Sequence, residues 1–297
     1  MRIEAIATGR TATEAAATAG DLVRSAARDL AARGVPLPAL EARLLVGHAL
    51  GLSREVLFAH PRRPVEAAAA AAVDAAVARR CGGEPLAYIV GEREFWSLPF
   101  AVGPEVLIPR PDSEAVVETA LSLLRDTTRP LRILDLGTGS GCLLLALLHE
   151  CRRAAGVGVD RSEAALAFAQ ANAARLGLDG RCGFACADWG AGLTGPFDLI
   201  VSNPPYIDAD GFAGLDATVR CFEPRSALLG GPDGLDAYRA LAPRLARLLG
   251  PGGLAVLELG SGQRHAVTRL VAAGGLEPIG VGHDLAGHER CLGFRPA

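Results

Sequence analysis

The residues Ser202-Asn203-Pro204-Pro205-Tyr206 carry the most specific chemistry in this chain. They follow Asp198-Leu199-Ile200-Val201, a run that reads as a buried strand. Two consecutive prolines cannot continue a ladder, so the chain must leave the sheet in a stiff, extended turn. The turn fixes an amide side chain, backbone carbonyls and an aromatic face at a strand's C-terminal end, where open α/β sheets bind ligands. Such a set suits the gripping of a planar NH2 group so that its nitrogen can attack an electrophile. The Asn203 side-chain carbonyl and the Pro204 backbone carbonyl are the candidate acceptors for the NH2 protons, and Tyr206 would pack against the flat amide. The plainer alternative makes Asn203 a turn former and Pro204 and Pro205 mere stiffening.

The electrophile is suggested upstream. Ile133 to Leu136 is a short apolar strand that runs into Gly137-Thr138-Gly139-Ser140-Gly141 and then into the helical run Cys142 to Leu148. Strand, glycine turn and helix N-terminus form a cradle for a nucleotide-like ligand, because glycines let the backbone approach closely. The G-x-G-x-G spacing is not the full dinucleotide fingerprint. A second strand, Gly156 to Val159, ends in Asp160, roughly 20 residues past the glycines, where an acidic side chain holds a ribose diol. A third ends in Ala187-Asp188-Trp189, a polar group and an indole to set beside an adenine. Asp135 either caps the N–H groups of the glycine turn or touches the ligand. Asp160 could cap the next helix, but Ser162 is the better cap and leaves Asp160 for the ribose. Trp189 has a core role as its alternative.

Glycine turn, Asp160, Asp188-Trp189 and Asn203-Pro204-Pro205-Tyr206 together resemble a class I S-adenosylmethionine-dependent methyltransferase acting on a planar nitrogen. Three further stretches, Arg93 to Phe100, Leu107 to Glu114 and Phe222 to Leu228, are similar to the peptide chain release factor glutamine N5-methyltransferases. The resemblance runs from about Gly83 to the C-terminus and departs from the pattern at Cys221-Phe222. It implies an α/β, Rossmann-like fold with a mostly parallel seven-stranded sheet, and a small N-terminal helical bundle joined to it by a β-hairpin. It implies methyl transfer from S-adenosyl-L-methionine to N5 of the glutamine in the Gly-Gly-Gln motif of class I release factors, with the N-terminal helices helping to dock the factor. The domains expected are a helical recognition domain over 1–85, a hairpin linker over 86–110 and the methyltransferase domain over 111–297. Cofactor residues would be Asp135, Gly137, Thr138, Gly139, Ser140, Gly141, Asp160, Asp188, Trp189 and Asn203; substrate would meet Asn203, Pro204, Pro205 and Tyr206.

The elements that position these groups follow from pattern. From Asp21 to about Arg80 the spacing is helical, with Leu22, Ala26 and Leu30 on one face and breaks at Gly34 to Pro38 and Pro61 to Pro64. Glu66 through Arg80 reads as an alanine-rich helix with Val73 and Val77 on one face. Residues 1 to about 18 read as a frayed start. Phe95 to Ile108 reads as the hairpin. Later strands are expected at Leu254 to Leu259, launched by a Pro251-Gly252-Gly253 turn, near Leu276 to Val281, and at Arg290 to Phe294.

Composition excludes other classes. The chain has 297 residues and a net charge of −3, which argues against a broad nucleic-acid surface. Lysine is absent, which removes the P-loop lysine and Schiff-base chemistry. Seven cysteines without a C-x-x-C pair read as reduced, mostly buried thiols rather than a zinc site. His283 and His288 read as solvated side chains, and Glu223-Pro224-Arg225 as either a surface loop or a contact loop. No apolar run approaches twenty residues. A monomeric, cytoplasmic protein with no stable nucleic-acid or membrane partner is expected. The rival activities are methylation of a ribosomal-protein glutamine, of adenine N6 in DNA or RNA, or ligand binding without catalysis on the same scaffold.

Overall fold

The computed structural model describes residues 17–297, which divide after Val90 into two compact units. The expected frayed start lies almost wholly outside the described residues. The first unit is helical, with α1 (Ala19–Ala32), α2 (Pro38–Leu50), α3 (Arg54–Ala59), α4 (Ala67–Cys81) and α5 (Leu86–Val90). Thr18 and Asp21 form a capping box at the start of α1, satisfying two otherwise orphaned N–H groups. Leu22, Ala26 and Leu30 pack with Leu45, Val73 and Val77 in one core, as the spacing predicts. Arg80 pairs with Glu41 at 2.6 Å, tying α4 to α2.

The second unit opens with the hairpin β1 (Glu92–Phe95) and β2 (Leu98–Ala101), followed by α6 (Glu114–Leu123). The hairpin is shorter and begins earlier than the sequence suggests. Trp96 and Ser97 both take positive φ, which gives the two-residue turn that matches strand twist. Residues 102–110 leave the ladder and become a loop. The hairpin is built into this unit: Phe95 and Phe100 are buried in its core, and Ala101 N–H donates to Asn172 Oδ1 at 2.7 Å.

The remaining elements alternate: β3 (Arg132–Leu136), α7 (Cys142–Glu150), β4 (Ala155–Asp160), α8 (Glu163–Arg175), β5 (Cys182–Cys186), β6 (Phe197–Ser202), α9 (Ala209–Gly214), α10 (Ala217–Phe222), α11 (Asp236–Leu248), β7 (Leu249–Glu258), α12 (Arg264–Ala273), β8 (Leu276–His283) and β9 (Glu289–Pro296). The sheet has seven strands in the order β5-β4-β3-β6-β7-β9-β8, parallel except at β9, which is antiparallel to both neighbours. This is the Rossmann-like arrangement expected. The order reverses between β3 and β6, so the crevice for a ligand opens at their C-terminal ends.

Period-two alternation sends one set of strand residues to each face. Ile133, Leu199 and Val256 join a core with α6 and α7; Leu134, Ile200 and Ala255 join another with α11 and α12. Each fully buried leucine or isoleucine contributes about 1.5–3 kcal/mol, which is why the central strands read as unbroken apolar runs. The Pro251-Gly252-Gly253 segment is not a separate turn. Phe197 pairs with Leu249 and Leu199 with Leu254, so the intervening residues of β7 bulge while the ladder resumes beyond them. The third strand ends at Cys186, and Ala187-Asp188-Trp189 belong to the following turn, Trp189 at φ +47°. Among the seven free cysteines only Cys151 and Cys291 are fully buried, and Cys186 and Cys221 are exposed, so the expectation of mostly buried thiols is too broad. No helix among the described residues is long and apolar enough to cross a membrane.

Candidate active site

The glycine turn is held from behind. Gly137 and Thr138 N–H donate to the Val159 carbonyl at 2.8 and 2.9 Å, hooking the turn over β4. Gly139 N–H donates to Asp160 Oδ2 at 3.0 Å. Asn172, fully buried on α8, donates to the Ser140 carbonyl at 2.9 Å while also pairing with Ala101. Gly139 has φ +54°, and a Cβ there would meet no heavy atom within 4 Å. The residue is glycine for its backbone conformation, and a side chain would project into open space.

That space is a cavity of about 450 Å³, in the usual range for a small-molecule site. Gly137, Thr138, Gly139, Ser140 and Asp160 line one side of it. Asp188 and Trp189 line it from the turn after β5, and Asn203 and Pro205 from the turn after β6. Asp160 keeps lone pairs free for a ligand although Ser162 N–H also donates to its Oδ1 at 3.0 Å. Ser162 caps α8 through its own hydroxyl, which accepts from Ala165 N–H at 3.2 Å, as expected.

Four of the expected site residues do not line the cavity. Gly141 has φ +83° and forms the N-cap of α7, packed against Ala169 and Leu145. Pro204 is buried. Asp135 is 1% exposed and lies beneath the turn, its Oδ2 accepting from Thr138 Oγ1 at 2.6 Å; of its two readings the turn-holding one describes its contacts. Burial pushes its carboxyl up to about 7, with the nearby Asp160 charge adding to the rise and the Thr138 and Leu144 hydrogen bonds opposing it. Tyr206 was expected against a flat amide, but its hydroxyl donates to Glu258 Oε1 at 3.3 Å and its carbonyl is held by Gln263 Nε2 at 2.9 Å. Burial and the Glu258 charge push the phenol well above its ordinary range.

Several residues around the cavity went unmarked in the sequence. Asn203 Nδ2 donates to Ser113 Oγ at 3.0 Å, and Ser113 is 2% exposed. The loop of residues 105–110 and the loop of residues 224–231 supply much of the remaining wall. Glu223 joins them: it is 5% exposed, pairs with Arg110 at 2.5 Å, and accepts the Ile108 N–H at 3.1 Å. Its side chain is therefore buried rather than on the surface, a clasp between two walls. Phe222 at the end of α10 places it there. Arg225, next in that loop, stacks over Phe212 at 4.9 Å. His288 is exposed and meets Asp284 at 3.3 Å. A signal for Glu258 existed: one acidic residue in the otherwise apolar stretch Leu254 to Leu259.

Comparison with known proteins agrees with this geometry. Residues 21–91 match the PrmC N-terminal domain family, and residues 128–256 a methyltransferase domain family. The release factor glutamine methyltransferase of Rhodospirillum rubrum is 47% identical over 281 residues, 95% of this chain and 86% of that protein. That of Moorella thermoacetica is 48% identical over 269 residues, covering 90% of this chain and 94% of the other. A methyltransferase structure from Pyrococcus furiosus, 18% identical, matches 73% of this chain and 95% of its own with a TM-score of 0.50, a likeness of fold. The chain belongs to the release factor glutamine methyltransferase family.

Proposed function

We propose that this protein transfers the methyl group of S-adenosyl-L-methionine to N5 of the glutamine in the Gly-Gly-Gln motif of class I peptide chain release factors. The observation that carries the reading is the placement of Asn203 on the same cavity wall system as the glycine turn and Asp160. The cavity fits the cofactor: its volume suits a nucleoside with a short tail, and open space lies where a Gly139 side chain would stand. Gly137, Thr138, Gly139, Ser140 and Asp160 would hold it, with Asp188 and Trp189 on the side of the base. When bound it supplies a sulfonium methyl as electrophile.

The chain's own residues then act on the glutamine amide. That nitrogen is a poor nucleophile because its lone pair is delocalised into the carbonyl. Asn203 Nδ2 is engaged by Ser113, and among the described residues no donor reaches Oδ1, which is free to accept an NH2 proton. The Pro204 carbonyl is the candidate second acceptor. Two acceptors orient the nitrogen and favour the positive charge that develops on it. The methylated cation is acidic and loses its proton to water, so no catalytic base is assigned. Residues 1–85 would recognise the factor and residues 111–297 carry catalysis, in a cytoplasmic monomer.

The test is incubation with labelled S-adenosyl-L-methionine and a class I release factor, a ribosomal protein or duplex DNA. Label in the factor, lost when the motif glutamine becomes alanine, is expected. Label only in the ribosomal protein or only in DNA would overturn the assignment.

A further inference from the structure

The turn Asn203-Pro204-Pro205-Tyr206 leaves β6 with its two ends pinned by different means. At the start, Ser202 is buried, pairs with Leu257 of β7 and donates its hydroxyl to the Leu136 carbonyl at 2.6 Å. At the far end the Tyr206 carbonyl accepts from Gln263 Nε2 at 2.9 Å. Gln263 is the half-buried N-cap residue of α12, 57 residues further along the chain. Its Oε1 accepts the Gly260 N–H at 3.0 Å, and its Nε2 also lies 3.4 Å from the Gly234 carbonyl. One amide thus joins the turn after β6 to the β7–α12 connection and to the loop before α11.

The direction of each link is set by backbone groups, which have a single role each. The Gly260 N–H can only donate, so it takes the oxygen of the Gln263 amide. The Tyr206 carbonyl can only accept, so it takes the NH2. No other orientation of the side chain satisfies both. The peptide unit that carries the Tyr206 carbonyl also carries the Ile207 N–H, which donates to the Leu228 carbonyl at 3.1 Å. That plane is therefore gripped at both edges, by the loop on one side and by Gln263 on the other. The segments meet too closely for side chains. A Cβ on Gly234 would collide with the Tyr206 carbonyl oxygen and stand 2.7 Å from Gln263 Nε2, and one on Gly260 would stand 2.9 Å from Gln263 Oε1. Between the pinned ends, Pro204 and Pro205 have locked φ. Fixing Ser202 and Tyr206 therefore fixes where the Asn203 amide and the Pro204 carbonyl stand.

We infer that Gln263 is a positioning residue for methyl transfer, holding the Tyr206 peptide so that the two acceptors of the clamp keep their places. The inference rests on the amide-clamp reading given under Proposed function. Gln263 is not among the residues that line the cavity, and it acts through the turn alone.

The experiment compares Q263M, Q263E, N203A and the Q263M/N203A double variant in one methylation assay with release factor at pH 8. Cofactor dissociation constants and thermal midpoints are measured alongside, and rates are taken well below each midpoint. Q263M keeps the length of the side chain and loses both hydrogen-bonding ends. It should lower kcat about ten- to hundredfold, the scale of a misplacement of about 1 Å. The KM for the factor and the cofactor Kd should stay within threefold, because the loss falls on the transition state. Q263E keeps an acceptor for the Gly260 N–H but sets a carboxylate against the Tyr206 carbonyl, and should be at least as slow as Q263M. On the N203A background Q263M should cost less than threefold, since the group that it positions is already gone. A general loosening of the fold would instead slow both backgrounds alike. A wild-type kcat in Q263M or Q263E while N203A is inactive, a loss confined to cofactor Kd, or multiplicative losses in the double variant would overturn this inference alone. Full turnover by N203A would remove the clamp on which it stands.

Discussion

Replacing Asp160 probes how the cavity holds a nucleoside. Its carboxylate already accepts the N–H groups of Gly139 and Ser162, each at 3.0 Å. A carboxylate has about four lone-pair sites, so about two remain for a vicinal diol. A hydrogen bond to a charged group contributes about 1.5–3 kcal/mol, and because Asp160 is only half-buried the lower part of that range applies. Two such bonds give about 3–4 kcal/mol, so D160A should raise the cofactor Kd about 150- to 900-fold. D160N keeps one acceptor oxygen but turns an NH2 toward a backbone N–H or a hydroxyl, and should raise Kd about 10- to 30-fold. The turnover number at saturating cofactor should change little, because Asp160 ends β4 whereas Asn203 follows β6, on the far side of β3.

Isothermal titration with S-adenosylmethionine measures this directly. A 2′-deoxy analogue closes the argument as a two-way cycle. The wild type should bind it more weakly than the parent, and D160A should bind both alike. Variants are compared well below their thermal midpoints, since loss of the Gly139 bond also loosens the turn. A D160A dissociation constant within twofold of the wild type, or undiminished discrimination against the deoxy analogue, would refute the ribose assignment.

The remaining predictions concern the clamp, the clasp and two buried acids. N203A should lower kcat about 100- to 1000-fold with cofactor Kd within threefold, the effect of removing one oriented dipole; steady-state kinetics and titration calorimetry separate the two. E223A leaves Arg110 and the Ile108 N–H without their carboxylate, and should lower the thermal midpoint and weaken cofactor binding together; calorimetry showing neither would remove the clasp role. Asp135 and Glu258 are both pushed up to about 7, burial being the main cause. The folded state therefore holds their protons more tightly than the unfolded chain. Their contribution is greatest below about pH 4 and is lost as pH rises to about 7, on the order of a few kcal/mol in all. The exposed Asp233, held down at about 2 by Arg239, acts in the opposite sense and only in acid, between about pH 4 and 2. Denaturant titrations from pH 5 to 8 should show D135N losing less stability with rising pH than the wild type; parallel curves would count against burial as the cause.

What the sequence made legible was whatever is encoded locally. The apolar runs of β3, β4 and β6 declare buried parallel strands, and Gly137, Asp160 and Asn203 each follow within a few residues of such a run. Topology then carries them to one edge without further information, because consecutive β-α-β units wind in one hand. Contacts made across long sequence separations were not legible. Nothing near Glu223 announces that its partner is Arg110, 113 residues earlier, so an even choice between surface loop and contact loop was all that local pattern allowed. The tie that holds Tyr206 was hidden for a related reason. An aromatic beside a Pro-Pro turn fits a flat amide in the abstract, but the carboxylate that takes its hydroxyl is 52 residues away on β7. Trp96 and Ser97 show the limit even at short range, since neither residue type announces positive φ, and the hairpin was placed too late in the chain.

The two buried acids show how a local anomaly and a distant contact combine into a site. Each stands in an apolar strand, Asp135 in β3 and Glu258 in β7, and each leaves one oxygen without a hydrogen-bond partner among the described residues. Burying a carboxyl in this way weakens the fold at neutral pH, so packing gives no reason for either. Their neighbours do. Asp135 receives the Thr138 hydroxyl and holds the glycine turn, while Glu258 receives the hydroxyl of Tyr206, three residues after Asn203 in the turn that follows β6. Each acid therefore holds a turn that supplies cavity wall: Asp135 the glycine turn, Glu258 the turn that carries Asn203 and Tyr206. A hydrophobic replacement at either position should yield a more stable protein above pH 7 and a slower enzyme. Equal stability together with unchanged kinetics would mean that neither carboxyl is retained for the site.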